Sequence, residues 1–160
     1  MGSSDPLWIV ENLFLDSLIF LKALPASIDS VLDLGAGAGF PGVPLKIVQP
    51  HIRLILVEAR ARRASFLSTA VRELRLTDVE VINARAETLA AQRRSAVDAV
   101  VTRCAGSLPD VIPVADALVK PGGIVVCSGP PAPISLPLVE WLETQGHRGQ
   151  DRYLAVYRKR

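Results

Sequence analysis

Along the chain, short runs of consecutive apolar residues alternate with longer stretches in which apolar positions recur every three to four residues. The short runs predict strands over Val31 to Leu34, Arg53 to Glu58, Val79 to Asn83, Val97 to Thr102, Gly123 to Ser128 and Tyr153 to Arg158. The helical period is clearest from Arg60 to Arg75, where Phe66, Leu67, Ala70, Val71 and Leu74 make one apolar stripe and the arginines face away. Further helices are expected over Gly42 to Val48, Leu108 to Val119 and Leu136 to Thr144. Strands apolar on both faces, alternating with helices, predict an α/β, Rossmann-like fold: a doubly wound, mostly parallel sheet with helices on both faces.

The N-terminal pattern is different. Residues 1–4 read as a leader, and residues 5–24 as an amphipathic helix packing on the core, with Asp5 as N-cap and Pro6 at its first position. Glu11, Asn12, Asp16, Ser17 and Lys22 interrupt the apolar run, so no membrane segment is expected there. Lys120-Pro121-Gly122-Gly123 reads as a turn between a helix and a strand, and Pro130, Pro131, Pro133 and Pro137 predict a stiff connection. With no repeat or long linker, residues 1–160 are expected to form one domain.

Composition narrows the class. Hydrophobic residues make up 49% of the chain and aromatics 5%, so the core must be built from Leu, Val, Ile and Ala. Cys104 and Cys127 are too few for a disulfide framework or a zinc site, and read as buried thiols in a reducing, cytoplasmic setting. No metal site is expected. A net charge of +2 permits an RNA partner without demanding one. The basic clusters at Arg60, Arg62 and Arg63, at Arg93 and Arg94, and at 158–160 read as solvated faces and a fraying tail; His51 and His147 read as surface residues.

The chemistry concentrates where the first strand ends, in Asp33-Leu-Gly35-Ala-Gly37-Ala-Gly39-Phe40-Pro41-Gly42. Glycines there allow a sharp turn and close approach of a ligand to the backbone. Residues 37, 39 and 42 formally match the dinucleotide spacing, but the glycine directly after the strand is Gly35, and counting from it the last position is Phe40. Pro41 also removes an amide that would face a pyrophosphate. The pattern suits S-adenosyl-L-methionine better, because that ligand carries no phosphate. Asp33 is expected to anchor the region of its amino group. Glu58, ending the second strand, is placed to accept from both ribose hydroxyls, or else caps the following helix. Asn83 to Glu87 is expected to lie against the adenine, with Phe40 opposite. Arg103 stands at the mouth of the same crevice, as a ligand or RNA contact or as an ion-pair partner of Glu87 or Asp33.

These segments together, with Val57-Glu58 and its arginine-rich helix, Ala84-Arg85-Ala86-Glu87 and Val101-Thr102-Arg103-Cys104-Ala105, resemble the bacterial rRNA small subunit methyltransferase G family, also called glucose-inhibited division protein B. The likeness runs from about Asn12 to Gly123 and includes Phe14-Leu15-Asp16-Ser17. It implies methyl transfer from S-adenosyl-L-methionine to N7 of a guanine (guanine 527) in the 530 loop of 16S rRNA, on the free RNA or the small ribosomal subunit. It also implies cofactor contacts from Gly35, Phe40, Ala86, Glu87 and Arg103; Gly37, Gly39 and Glu58 complete the expected cofactor set. Three departures are noted. A further N-terminal helical segment usual in the family is expected to be missing. Asn12 and Leu13 stand where a basic residue and a histidine are frequent. The short stretch from Gly146 to Arg152 implies a trimmed C-terminal antiparallel pair.

No catalytic base is expected, because guanine N7 already presents a lone pair. The absence of an Asn/Asp-Pro-Pro-aromatic motif after the fourth strand argues against methylation of an exocyclic amine. A monomer is expected. The alternatives are a small-molecule methyltransferase, a nicotinamide dehydrogenase disfavoured by the glycine spacing, and a non-catalytic RNA- or ribosome-binding module retaining the fold.

Overall fold

The computed structural model describes residues 5–103, 106–128, 133–146 and 149–160; Cys104, Pro130, Pro131 and His147 lie outside them. Seven strands are present: β1 (Ser30–Leu34), β2 (Arg53–Val57), β3 (Val79–Ile82), β4 (Val97–Thr102), β5 (Val119–Ser128), β6 (Val139–Gln145) and β7 (Asp151–Arg158). They form one sheet in the order β3-β2-β1-β4-β5-β7-β6. The first five pair in parallel, β7 runs antiparallel to β5, and β6 pairs antiparallel with β7.

Alternate residues of the central strands feed two cores, which is why these runs are largely apolar. On one face, Val31, Leu54, Leu56, Val101 and Val126 pack against the helical run 6–22 (α1), α2 (Gly42–Val48) and α3 (Ala61–Glu73) through Phe20, Val43, Leu45 and Leu67. On the other, Leu32, Leu34, Ile55, Val57, Val100 and Val125 pack against α4 (Ala86–Gln92) and α5 (Leu108–Leu118) through Leu89, Ala90, Val111, Ala115 and Leu118.

The start of α1 follows the sequence logic: the Asp5 side chain accepts from the Leu7 amide at 3.0 Å, and Pro6 occupies the first turn. The run then widens to π-helix over Val10–Leu15 and tightens to 3₁₀ over Ile19–Lys22. Its polar residues are used as ties. Arg152 donates twice to Asp16 Oδ2, at 3.1 and 3.0 Å, and the Lys22 ammonium donates to the Thr144 hydroxyl. The N-terminal run is thereby fastened to the C-terminal hairpin.

Five expectations require correction. Residues 139–145 are a strand, not part of a helix from Leu136: Val139 and Trp141 face one core and Leu142 the other, and every residue of β6 pairs with β7. The C-terminal antiparallel pair is therefore present rather than trimmed. The stripe on α3 is narrower than its sequence suggests, with Ala64 and Leu67 buried while Phe66 and Leu74 remain 55% and 51% exposed. The C-terminal basic residues do not all fray, since Lys159 donates to the Asp116 and Val119 carbonyls at 2.6 and 3.0 Å. The Lys120–Gly123 turn is carried inside β5 as an irregular register against β4. Helix α4 has no counterpart in the sequence expectations.

Candidate functional site

The carboxyl ends of β1, β2 and β3 lie level, because Leu34 pairs with Val57 and Val57 with Ile82. Gly35, Glu58 and Asn83 are consequently the first residues beyond three adjacent strands. They open onto a cleft of about 430 Å³, roofed on one side by the start of α5. Its walls include Gly35, Glu58, Ala86 and Glu87, together with Arg60, Arg63, Arg85 and Asp110. This is the crevice position in which open α/β sheets bind ligands, and its size suits one small molecule.

The glycine turn is closed on itself. The Gly35 and Ala36 amides both donate to the Val57 carbonyl at 2.9 Å, and Gly39 and Phe40 donate to the Ala36 carbonyl at 2.7 and 3.2 Å. Gly37 donates to Glu58 Oε2 at 3.0 Å, Gly42 to Asp33 Oδ2 at 2.7 Å, and Val43 to the Gly39 carbonyl at 2.8 Å. These are the amides from which a pyrophosphate cradle would have to be built, and the chain itself has engaged all of them but that of Ala38. Two glycines are irreplaceable for different reasons. Gly39 has φ +98°, and a Cβ there would stand 2.8 Å from Val43 Cγ2; Gly42 lies under Asp33, with a virtual Cβ 2.8 Å from its Oδ2.

Asp33, expected from the sequence to anchor a ligand directly or through water, is not on the cleft wall. It is fully buried, with Oδ2 bound to the Gly42 amide and Oδ1 without a partner. Burial pushes its carboxyl up to about 7; the Gly42 amide opposes this and the nearby Glu58 charge adds to it. Its role is to pin the start of α2 beneath the turn.

Glu58 stands where both of its sequence readings need a carboxylate, at the cleft and at the entry to α3. Its Oε2 accepts from Gly37 and its Oε1 from the Arg60 amide at 2.8 Å, so it braces the turn and the entry to α3. Each oxygen retains a lone pair, and the residue lines the cleft, where it can also accept from a pair of hydroxyls. Asn83 contributes something the sequence did not suggest: its side-chain amide donates to the Glu58 and Ala59 carbonyls at 2.9 and 3.1 Å, fixing the loop that carries Glu58.

Comparison with known proteins adds lineage to this geometry. The family model for rRNA small subunit methyltransferase G (GidB) matches residues 1–128. The chain belongs to this family. Ribosomal RNA small subunit methyltransferase G of Desulfitobacterium hafniense (strain Y51) is 39% identical over 122 residues, covering 75% of this chain and 50% of the relative. The protein of the same name from Geobacter sp. (strain M21) is 40% identical over 111 residues, covering 69% and 51%. The chain thus spans about half the length of these curated relatives. Among solved structures, a SAM-dependent methyltransferase from Aquifex aeolicus superposes with TM-score 0.69 at 14% identity over 96% of this chain and 93% of that one. A precorrin-6y C5,15-methyltransferase from Geobacter metallireducens superposes with TM-score 0.66 at 15% identity, covering 90% and 87%. These last two establish the fold.

The expected cofactor residues divide within this family fold. Gly35, Glu58, Ala86 and Glu87 come together on the cleft wall. Gly37 and Gly39 shape the turn behind it. Phe40 packs edge-on against Phe14 of α1, with ring centroids 4.9 Å apart. Arg103 pairs with neither Glu87 nor Asp33 among the described residues. Its Nη2 donates to the Asn12 carbonyl in the π-helical turn at 2.8 Å, and its Nη1 is buried without a partner. Arg60 and Arg63, read from sequence as solvated, and Arg85 and Asp110, not singled out there, line the cleft. The available signal was spacing: Arg60 and Arg63 follow Glu58 by two and five residues, on the turn entering α3. Among the described residues no helix is long and apolar enough to cross a membrane.

Proposed function

We propose that this chain is one S-adenosyl-L-methionine-dependent methyltransferase domain that methylates N7 of a guanine in 16S rRNA, as a cytoplasmic monomer acting on the RNA or the small ribosomal subunit. The carrying observation is the cleft itself, in which Gly35, Glu58, Ala86 and Glu87 converge from three loops while the turn amides, all but that of Ala38, are already engaged within the chain. Such a site fits a nucleoside ligand without phosphates: hydroxyl acceptors at Glu58, backbone approach at Gly35, and no free pyrophosphate cradle. S-adenosyl-L-methionine supplies the electrophilic sulfonium methyl when bound.

On this reading Glu58 holds the ribose, the start of α4 at Ala86 and Glu87 flanks the adenine, and Gly35 admits the remainder beside β1. Arg103 acts through α1, which it fastens at the end of β4. No side chain needs to remove a proton from N7, so the chain's contribution is alignment, an effect that supplies ~7–11 kcal/mol in favourable systems. In A-form RNA the major-groove edge carrying N7 is inaccessible, so the acceptor is an unpaired or splayed guanine.

Calorimetric titration tests this directly. S-adenosyl-L-methionine and S-adenosylhomocysteine should bind with micromolar affinity, and binding should be lost in Gly37→Arg, since Gly37 has φ +59° and its amide braces Glu58. Binding of NAD alone would refute the assignment. Turnover that is insensitive to salt, without methyl transfer to 16S rRNA, would point to a small acceptor instead.

A further inference from the structure

Six charged side chains line the cleft: Arg60, Arg63 and Arg85, and Glu58, Glu87 and Asp110. Among the described residues none of the three arginines makes a side-chain hydrogen bond or ion pair, although three carboxylates share their cleft. Glu58 is held by backbone amides, and the Asp110 carboxylate accepts from the Ser107 hydroxyl. Away from the cleft the sheet shows the opposite habit, with Arg53 and Arg93 both paired to Glu80, Lys120 to Asp98 and Arg152 to Asp16.

The positions of two of these arginines are also adverse to stability. Arg60 is the N-cap of α3 and Arg85 the N-cap of α4, and neither makes a side-chain capping bond. Ser, Thr, Asp or Asn would satisfy an amide there, whereas a cation at that end opposes the helix dipole. Local rules broken twice at one cleft mark a functional constraint rather than a folding one.

We infer that Arg60, Arg63 and Arg85 form a clamp for the phosphodiester backbone of single-stranded RNA, at the β2–β3 side of the cleft. The inference rests on the methyltransferase reading above and adds to it the part of the site that grips the acceptor strand. Arginine suits this role because its planar, fixed array of donors matches phosphate oxygens, and three such groups from two elements define a path rather than a point. The backbone grip fixes register and carries no sequence information, so selection of the guanine lies elsewhere.

The test is fluorescence anisotropy with a labelled single-stranded RNA oligonucleotide across a salt series. It compares the parent chain, the triple variant Arg60→Gln/Arg63→Gln/Arg85→Gln, and a charge-matched control, Arg72→Gln/Arg75→Gln/Arg94→Gln. Each lost phosphate contact should lower the slope of log K against log salt by ~0.7, so the triple variant should lose about 2 and bind more weakly. The control should keep the parent slope. Equal slopes for the parent and the triple variant would overturn the clamp, as would equal losses in both triple variants. Titration of the parent chain with S-adenosyl-L-methionine separates the two levels. Cofactor binding without an effect of the cleft arginines on RNA overturns only the clamp, whereas loss of cofactor binding overturns the methyltransferase reading.

Discussion

Replacing Asp33 by Asn isolates the cost of keeping one carboxylate dry. In the folded chain its pKa is about 7 against an ordinary 3.8, because burial outweighs the hydrogen bond from Gly42. A carboxyl raised on folding binds more protons in the native than in the unfolded state between those two values. Stability attributable to it is therefore present in acid and lost as pH rises from about 4 to about 7, the reverse of a salt-bridged aspartate. About three pKa units correspond to a ceiling of roughly 4 kcal/mol, of which about half falls between pH 5 and pH 7. Asn keeps an oxygen for the Gly42 amide and puts an NH₂ where Oδ1 is already unpartnered, so it resembles the protonated acid rather than the anion. Urea unfolding of both chains from pH 5 to pH 8.5 should show the Asn variant the more stable, by about 1–2 kcal/mol at the acid end. Its advantage should grow by a further ~2–3 kcal/mol toward the alkaline end. Contributions from the rest of the chain are common to both proteins and cancel in the difference. Parallel stability curves for the two chains would refute the reasoning.

Three further outcomes are expected. Leu67→Ala, at a fully buried site, should cost about 2–5 kcal/mol in urea unfolding, while Phe66→Ala one residue earlier should stay within about 0.5 kcal/mol. Arg152→Gln removes the cation from the nearly buried Asp16 and should lower stability by about 1–3 kcal/mol, with the loss smaller in the double variant carrying Asp16→Asn. Cys127, buried and with its thiol pushed up to about 12, should resist iodoacetamide at pH 8 in the folded chain and react after unfolding in urea.

The central sheet was legible because a strand buried on both faces must be mostly apolar, a demand that β2 meets from Leu54 to Val57 and that β1 and β4 meet apart from Ser30, Asp33, Asp98 and Thr102. The glycine turn and Glu58 were legible for the same kind of reason, since each sits immediately beyond such a strand. What escaped was decided by partners distant in sequence. Val139 and Leu142, three apart, satisfy a helical period as readily as a strand, and only pairing with β7 selects the strand. Phe66 and Leu74 extend the apparent stripe of α3, but the helix is rotated so that Ala64 and Leu67 meet the sheet. Arg103 follows β4 directly, but it is not on the cleft wall, and its partner is a carbonyl 91 residues earlier, in a π-helical turn that no local pattern announces. Asp33 ends inward because β1 alternates, which sends it toward Gly42 and away from the cleft.

The fastening of α1 to the C-terminal hairpin sets an order of events during synthesis. Residues 6–22 leave the ribosome before β6 and β7, so Asp16 and Lys22 find Arg152 and Thr144 only when those two strands have emerged. Phe20 shares its core cluster with Leu154 and Val156, so until then part of its packing surface has nothing to close over it. The nascent chain must carry a partly uncovered helix until β6 and β7 follow, which makes α1 the segment on which a holding chaperone would act.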